Sequence, residues 1–191
     1  MTTARLEAFS DGVFAVIITI MVLELKVPHG ADWEALRPLT PVFLTYVLSF
    51  VFIGIYWNNH HHMMHLTEHV TGGILWANLH LLFWLSLTPF VTGWMGENHF
   101  DALPTAIYGC VLVCAAIAYT TLQTLIIRHE GPHSKLAQAV KHDVKGKISI
   151  ALYLTAIPMA FVNDVISDVL YVAVALIWLV PDRRIEVKQQ R

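Results

Sequence analysis

The sequence predicts an all-α, six-helix integral membrane protein, and two observations carry that prediction. Of 191 residues, 56% are hydrophobic and only 14% charged, against roughly 25% charged in soluble domains. The apolar residues also fall into six runs, each near the ~20 residues a helix needs to cross the hydrocarbon at ~1.5 Å per residue. The formal charge of −2 says little about partners, because the charges are segregated along the chain.

The runs lie near 6–25, 39–58, 72–95, 103–127, 146–162 and 165–180. In the first, the apolar stretch opens on polar Ser10-Asp11 and has no Ala-x-Ala exit, so a retained helix is expected and not a cleaved leader. Pro28 and Gly30 end it, and Pro38 and Pro41 begin the second. Gly72-Gly73 precede the third, Pro104 opens the fourth, and Gly131-Pro132 break the loop after it. Pro89 and Pro158 fall inside runs, where a kink is expected. The last two runs are short and joined tightly around Asn163-Asp164, which leaves two complete crossings and a re-entrant hairpin both open. Cys110 and Cys114, four apart in an apolar helix, read as small buried hydrophobes and not as a disulfide framework.

Basic residues set the orientation. With the N-terminus inside, Arg5, Arg128, Lys135, Lys141, Lys145, Lys147, Arg183, Arg184, Lys188 and Arg191 are all cytoplasmic, and only Lys26 and Arg37 lie outside. Both termini are then expected in the cytoplasm. The outer segments carry Glu24, Asp32, Glu34, Glu97, Asp101, Asp164 and Asp168. Such an acidic face would concentrate cations, although acidic residues also accumulate outside simply because basic ones are retained inside.

Within the first run, Val16, Thr19, Ile20 and Leu23 follow the i, i+3, i+4, i+7 spacing of one helix face, and Phe9 and Gly12 continue that stripe toward the N-terminus. At 100° per residue, Asp11 lies about 140° and Ser10 about 120° round the helix from Val16, toward neighbouring helices. An ionisable group inside a span costs ~2.5–3.5 kcal/mol on insertion scales unless it is paired. The polar residues near the inner ends of the first three runs are therefore expected to form one network. It comprises the box residues Arg5, Phe9, Ser10 and Asp11, with Trp57, His60 or His61, and Asn78 as partners. Its role would be to hold the first helix in place.

The motif Arg5-x-x-x-Phe9-Ser10-Asp11, followed by Gly12-Val13-Phe14-Ala15, resembles the head of the first helix in the prokaryotic branch of the transmembrane protein 175 family of potassium channels. Tyr56-Trp57 with the following histidines, Trp76-Ala77-Asn78, Leu87-Thr88-Pro89-Phe90 and Pro181-Asp182-Arg183-Arg184 extend the likeness over most of the chain. The resemblance implies a single six-helix unit spanning 1–191, since the box occurs once, and four such chains around a pore lined by the first helices. It also implies that Val16, Ile20 and Leu23 form a hydrophobic constriction with Thr19 beside it. Potassium would be passed over sodium because the larger ion sheds its water at lower cost. Valine at position 16 departs from the isoleucine or leucine common in the family and would widen the innermost ring, leaving Ile20 the tightest point. A Thr-Val-Gly-Tyr-Gly filter is absent from the sequence.

These readings make the chain a passive channel of the bacterial inner membrane, with lipid, potassium and its own copies as partners. No cofactor, catalytic set, nucleotide loop or nucleic-acid contact is expected. Two competing readings concern the same polar residues. His60, His61, His62, His65 and His69, with His129 and His133, have spacings that suit metal and would suggest a membrane metalloenzyme. Glu130-Gly131-Pro132 would nonetheless break the helix the second pair needs. A cytoplasmic pH response is a further reading of these imidazoles. Asp11 could alternatively carry protons in a proton-coupled cation transporter.

Overall fold

The computed structural model describes residues 2–140 and 144–179, and these residues form helices and short connections without a strand. Helix α1 (Thr3–Leu23) starts where the Thr2 hydroxyl accepts the Arg5 N–H. A short α2 (Trp33–Leu36), capped by the Asp32 carboxylate at 3.0 Å, runs through a 3₁₀ turn at Arg37–Leu39 into α3 (Thr40–His65). Thr71 caps α4 (Gly72–Ser86), which is followed by α5 (Thr88–Glu97) and α6 (Ala102–Glu130). Ser134 caps a single turn, α7 (Lys135–Ala139), and α8 (Val144–Met159) and α9 (Asp164–Leu179) close the chain.

The six predicted runs correspond to α1, α3, α4 with α5, α6, α8 and α9. Pro89 divides the third: it sits in the first turn of α5, where its missing N–H is tolerated, and the helix breaks at Leu87 just before it. Nothing in Asn58–His65 stops a helix, so α3 continues beyond 58, and His60, His61, His62 and His65 belong to the membrane helix instead of following it. Gly131, at φ 95°, ends α6 in a conformation only glycine adopts without strain. At the turn before α6, His99 and Phe100 take positive φ of 51° and 65°.

Among the described residues, four segments are long and apolar enough to cross a membrane: Thr3–Leu23, Trp33–His65, Gly72–Glu97 and Ala102–Glu130. Over the described residues, α8 and α9 run 16 residues each, about 24 Å at ~1.5 Å per residue. They pair as a tight hairpin, in which Ser167 Oγ donates to the Ala156 carbonyl at 2.9 Å and Trp178 Nε1 to Ser149 Oγ at 2.8 Å. The segment at Lys141 and the Pro181-Asp182-Arg183-Arg184 motif, with Lys188 and Arg191, lie outside the described residues.

Two apolar cores form around α3. One joins α1 to α3, α4 and α6 through Phe14, Ile17, Met21, Ile53, Leu81 and Leu122. The other joins α3, α5, α6, α8 and α9 through Phe52, Met95, Tyr108, Tyr153 and Tyr171. In lipid there is no water to expel between helices, so close contact and buried hydrogen bonds do the holding. Small residues permit the approach: a Cβ on Gly96 would lie 2.7 Å from the Val42 Cα, and one on Gly109 would overlap the Tyr171 hydroxyl. The α3–α5 seam is further closed by Thr92 donating to Ser49 Oγ at 2.6 Å, with Ser49 hydrogen-bonded to the Tyr108 hydroxyl at 3.0 Å.

Candidate functional site

Helix α1 divides lengthwise. Leu6, Ser10, Phe14, Ile17 and Met21, spaced by four, four, three and four, are buried against α3, α4 and α5. The stripe of Phe9, Gly12, Val16, Thr19, Ile20 and Leu23 is turned away from the rest of the chain and is exposed, Val16 to 56% and Leu23 to 77%. Thr19 Oγ1 donates to the Ala15 carbonyl, so its proton is used inside the helix and its oxygen remains an acceptor on the stripe. The stripe is thus a ladder of apolar side chains with one hydroxyl.

The opposite face is tied down by polar contacts in two branches. In the buried branch, His60 and Asn78 pair through Nε2 and Oδ1 at 2.7 Å, Asn78 Nδ2 donates to Ser10 Oγ at 3.0 Å, and Ser10 Oγ donates to the Leu6 carbonyl at 2.9 Å. Because the Asn78 oxygen can only accept, His60 Nε2 is the donor. Its Nδ1 is buried without a partner, with the Phe14 ring 5.7 Å away centre to centre. In the outer branch, Trp57 Nε1 donates to Asp11 Oδ1 at 3.0 Å, and His61 Nδ1 meets Glu7 Oε1 at 2.7 Å. The Trp57 and His61 rings stack at 6.2 Å. Ser10, Asp11, Trp57, His60, His61 and Asn78 are therefore brought together across α1, α3 and α4.

Arg5 and Phe9 stand outside this network. Arg5 is exposed, and its guanidinium makes no hydrogen bond or ion pair with a described residue; Phe9 lies on the open stripe, 51% exposed. The residue that sequence reasoning missed is Glu7. Its signal was present, because Glu7 and Asp11 are four apart and so share the face turned to α3.

The described histidines lie in separate small groups. His61 lies against His65 and His62, with ring centres 6.2 and 5.5 Å apart, while His69 is set against His129 at 6.3 Å. Among the described residues, no group of three or more His, Cys, Asp or Glu is placed to hold an ion. Glu130 is instead used structurally, accepting the backbone N–H groups of Glu68 at 2.6 Å and His69 at 3.4 Å. At the other end of α1, Lys26 pairs with Glu97 at the end of α5. That partner holds the Lys26 ammonium above its ordinary pKa.

This geometry coincides with strong similarity to known proteins. The profile of the family described as endosomal/lysosomal potassium channel TMEM175 matches residues 5–89, which run from Arg5 through Pro89. A potassium channel of Chryseobacterium sp. (strain P1-3) is 56% identical over 186 residues, covering 97% of each chain. One from Streptomyces collinus is 36% identical over 128 residues, covering 63% of this chain and 62% of its own. The crystal structure of a lysosomal potassium-selective channel TMEM175 homolog from Chamaesiphon minutus superposes with a TM-score of 0.80 at 29% identity, covering 93% of this chain and 96% of that one. A helix carrying the Arg-x-x-x-Phe-Ser-Asp box, tethered on one face and open on the other, in an all-helical fold shared with the Chamaesiphon channel over 93% of the chain and a sequence 56% identical to the Chryseobacterium channel over 97% of it, places the chain in the TMEM175 family of ion channels.

Proposed function

We propose that four copies of this chain, each one six-helix channel domain, surround a central path lined by the open stripe of α1. That path conducts potassium passively in preference to sodium. The observation that carries the reading is the division of α1: every residue from Phe9 to Leu23 on one face is left uncovered, although the opposite face is packed and hydrogen-bonded. Fourfold repetition turns Val16, Ile20 and Leu23 into successive apolar rings, with Thr19 as a ring of oxygen acceptors beside Ile20. A narrow apolar ring dewets, and an ion passing it must give up water. Potassium, the larger ion, does so at lower cost than sodium. The polar network serves this path by fixing the rotation of α1, so that Asp11 faces Trp57 and not the ions. In this reading the protein is a multi-pass protein of the bacterial inner membrane with both termini in the cytoplasm.

The test is a reversal potential in planar bilayers with potassium on one side and sodium on the other. A value shifted toward the potassium equilibrium potential supports the proposal. A reversal at zero with open channels, or proton-coupled saturable flux lost in Asp11→Asn, overturns it.

A further inference from the structure

Helix α4 keeps a second face uncovered. Trp76, Leu79, His80 and Phe83 recur at the three- and four-residue spacing of one helix face, and all are exposed, Trp76 to 75% and Phe83 to 55%. Bulky apolar side chains alone would suit lipid. His80 does not. It lies about 12 Å along α4 from Gly72 at ~1.5 Å per residue, inside a segment long and apolar enough to cross a membrane. The Trp84 indole can only donate, and its Nε1 does so to His80 Nε2 at 2.8 Å. Nε2 is therefore the acceptor and the ring proton sits on Nδ1, where it makes no hydrogen bond with a described residue. Hydrocarbon offers an N–H no acceptor, so the face of α4 calls for protein against it.

Depth in the membrane says which part of a second copy can meet it. Asn78 donates to Ser10, so those two residues are level, and the Lys26–Glu97 pair at the far end shows α1 running alongside α4 and α5 in the same direction. Counted from Asn78 and Ser10, Trp76 is level with Ala8, His80 with Gly12 and Phe83 with Ala15. Rotation about the membrane normal preserves depth, so these residues stay level between copies arranged round such an axis. Ala8, Gly12 and Ala15 are exposed, and a Cβ built on Gly12 meets nothing within 4 Å. Ala8 and Ala15 lie about 60° and 40° round α1 from Asp11, on the α3 flank, whereas Ser10, which carries α4, lies about 100° from Asp11 in the opposite sense. One chain thus offers a bulky ridge on one side and, at the same height, a ledge of small residues on the other. Head-to-tail contacts between two such different surfaces close into a ring.

We infer that α4 of one copy packs on α1 of the next, Trp76 over Ala8 and Phe83 over Ala15, with His80 Nδ1 donating to a helix carbonyl left bare at Gly12. Helix carbonyls keep a second lone pair, and close approach at small residues is how membrane helices associate. The contact rests on the reading of α1 as the helix beside a shared axis, and it names which surfaces of adjacent copies meet. It leaves Val16, Ile20 and Leu23 free to face the path.

The test is disulfide trapping of the intact chain in membranes, with Cys110 and Cys114 changed to serine. Phe83→Cys and Ala15→Cys together should give, on mild oxidation, a ladder of linked species up to the size of four chains, because each copy is then joined to both neighbours. Each single variant should stay monomeric on the same gel. A double variant without the ladder overturns the inference, as does linkage through Phe83→Cys alone, which would put two α4 ridges against each other. Leu23→Cys in the same background reports on the axis itself. Dimers at Leu23 without the ladder overturn this contact and leave the central path standing, whereas absence of both removes the path as well. Should the double variant fail to accumulate, His80 decides. His80→Leu should lower the assembled fraction at a fixed protein-to-lipid ratio roughly three- to tenfold, and His80→Asn, which keeps an N–H, should retain more of it. Equal assembly in wild type and His80→Leu, the result for a ridge that faces only lipid, overturns the inference.

Discussion

Ile20 and Asn78 illustrate how single residues on or near α1 divide their labour. Ile20 lies on the open stripe and makes no polar contact, so its replacement should leave the fold intact while changing what the proposed path excludes. If Ile20 is part of the proposed constriction, Ile20→Ser lowers the potassium-to-sodium permeability ratio by about tenfold, the equivalent of ~1.4 kcal/mol of discrimination, read from bi-ionic reversal potentials of the purified, assembled protein. Unchanged selectivity in well-assembled protein would remove Ile20 from the constriction. Val16→Ile should act in the opposite sense, lowering unitary conductance by narrowing the innermost ring. Asn78 is fully buried and serves both His60 and Ser10. Asn78→Leu leaves the His60 donor unpaired in an apolar site, a cost of ~1–3 kcal/mol. We expect lower thermal stability and less assembled protein on gel filtration, with normal ion preference in the assembled protein that remains.

At the scale of elements, what matters is how α1 is fastened and how closely the other helices approach. Two polar contacts hold α1 to α3, and each joins residues that also neighbour the other: Glu7 is one turn from Asp11, and Trp57 stacks on His61. They should behave as a unit. A double-mutant cycle over Asp11→Asn and Trp57→Phe is expected to give a coupling of about 0.5–3 kcal/mol, the range for residues in one hydrogen-bond network. Simple additivity would mean that the contact does not hold the helix. Gly96 and Gly109 mark the closest approaches on the other side. Gly96→Ala drives a methyl against the α3 backbone at Val42, whereas at Gly109 the obstacle is the Tyr171 hydroxyl. Backbone yields less than a side chain. Gly96→Ala should therefore destabilise by about 1–3 kcal/mol, and by more than Gly109→Ala, as ranked by melting temperatures in a common detergent.

For the whole molecule, the unresolved matter of a single chain is its uncovered apolar stripe, and four copies would close it around an axis. That arrangement has a direct chemical test. In a background where Cys110 and Cys114 are serine, Leu23→Cys places a thiol on the open stripe, the side proposed to face the axis. Mild oxidation should give disulfide-linked dimers if the open stripes of neighbouring copies meet at one axis, since a disulfide forms only where Cα atoms come within roughly 4–7 Å. Leu6→Cys, on the packed face, should stay monomeric on the same gel. Crosslinking at Leu6 but not at Leu23 would invert the proposed orientation of α1.

Helicity, membrane residence and the two faces of α1 followed from the chain itself, because apolar run length and a 3.6-residue period depend only on local order. The resemblance of the Arg5–Asp11 box likewise needed no coordinates, and similarity to known channels over nearly the whole chain supports it. The extent of α3 was less legible: polar Asn58–His65 looks like a membrane boundary, but nothing in it ends a helix, so backbone hydrogen bonding carries the helix through. Pairings across helices were not legible at all. Whether Asn78 takes His60 or His61, and that Glu7 joins and Arg5 does not, depend on the relative rotation of helices far apart in sequence. That rotation is decided by packing at small residues such as Gly96 and Gly109, a property of the assembled tertiary structure that no stretch of chain contains alone.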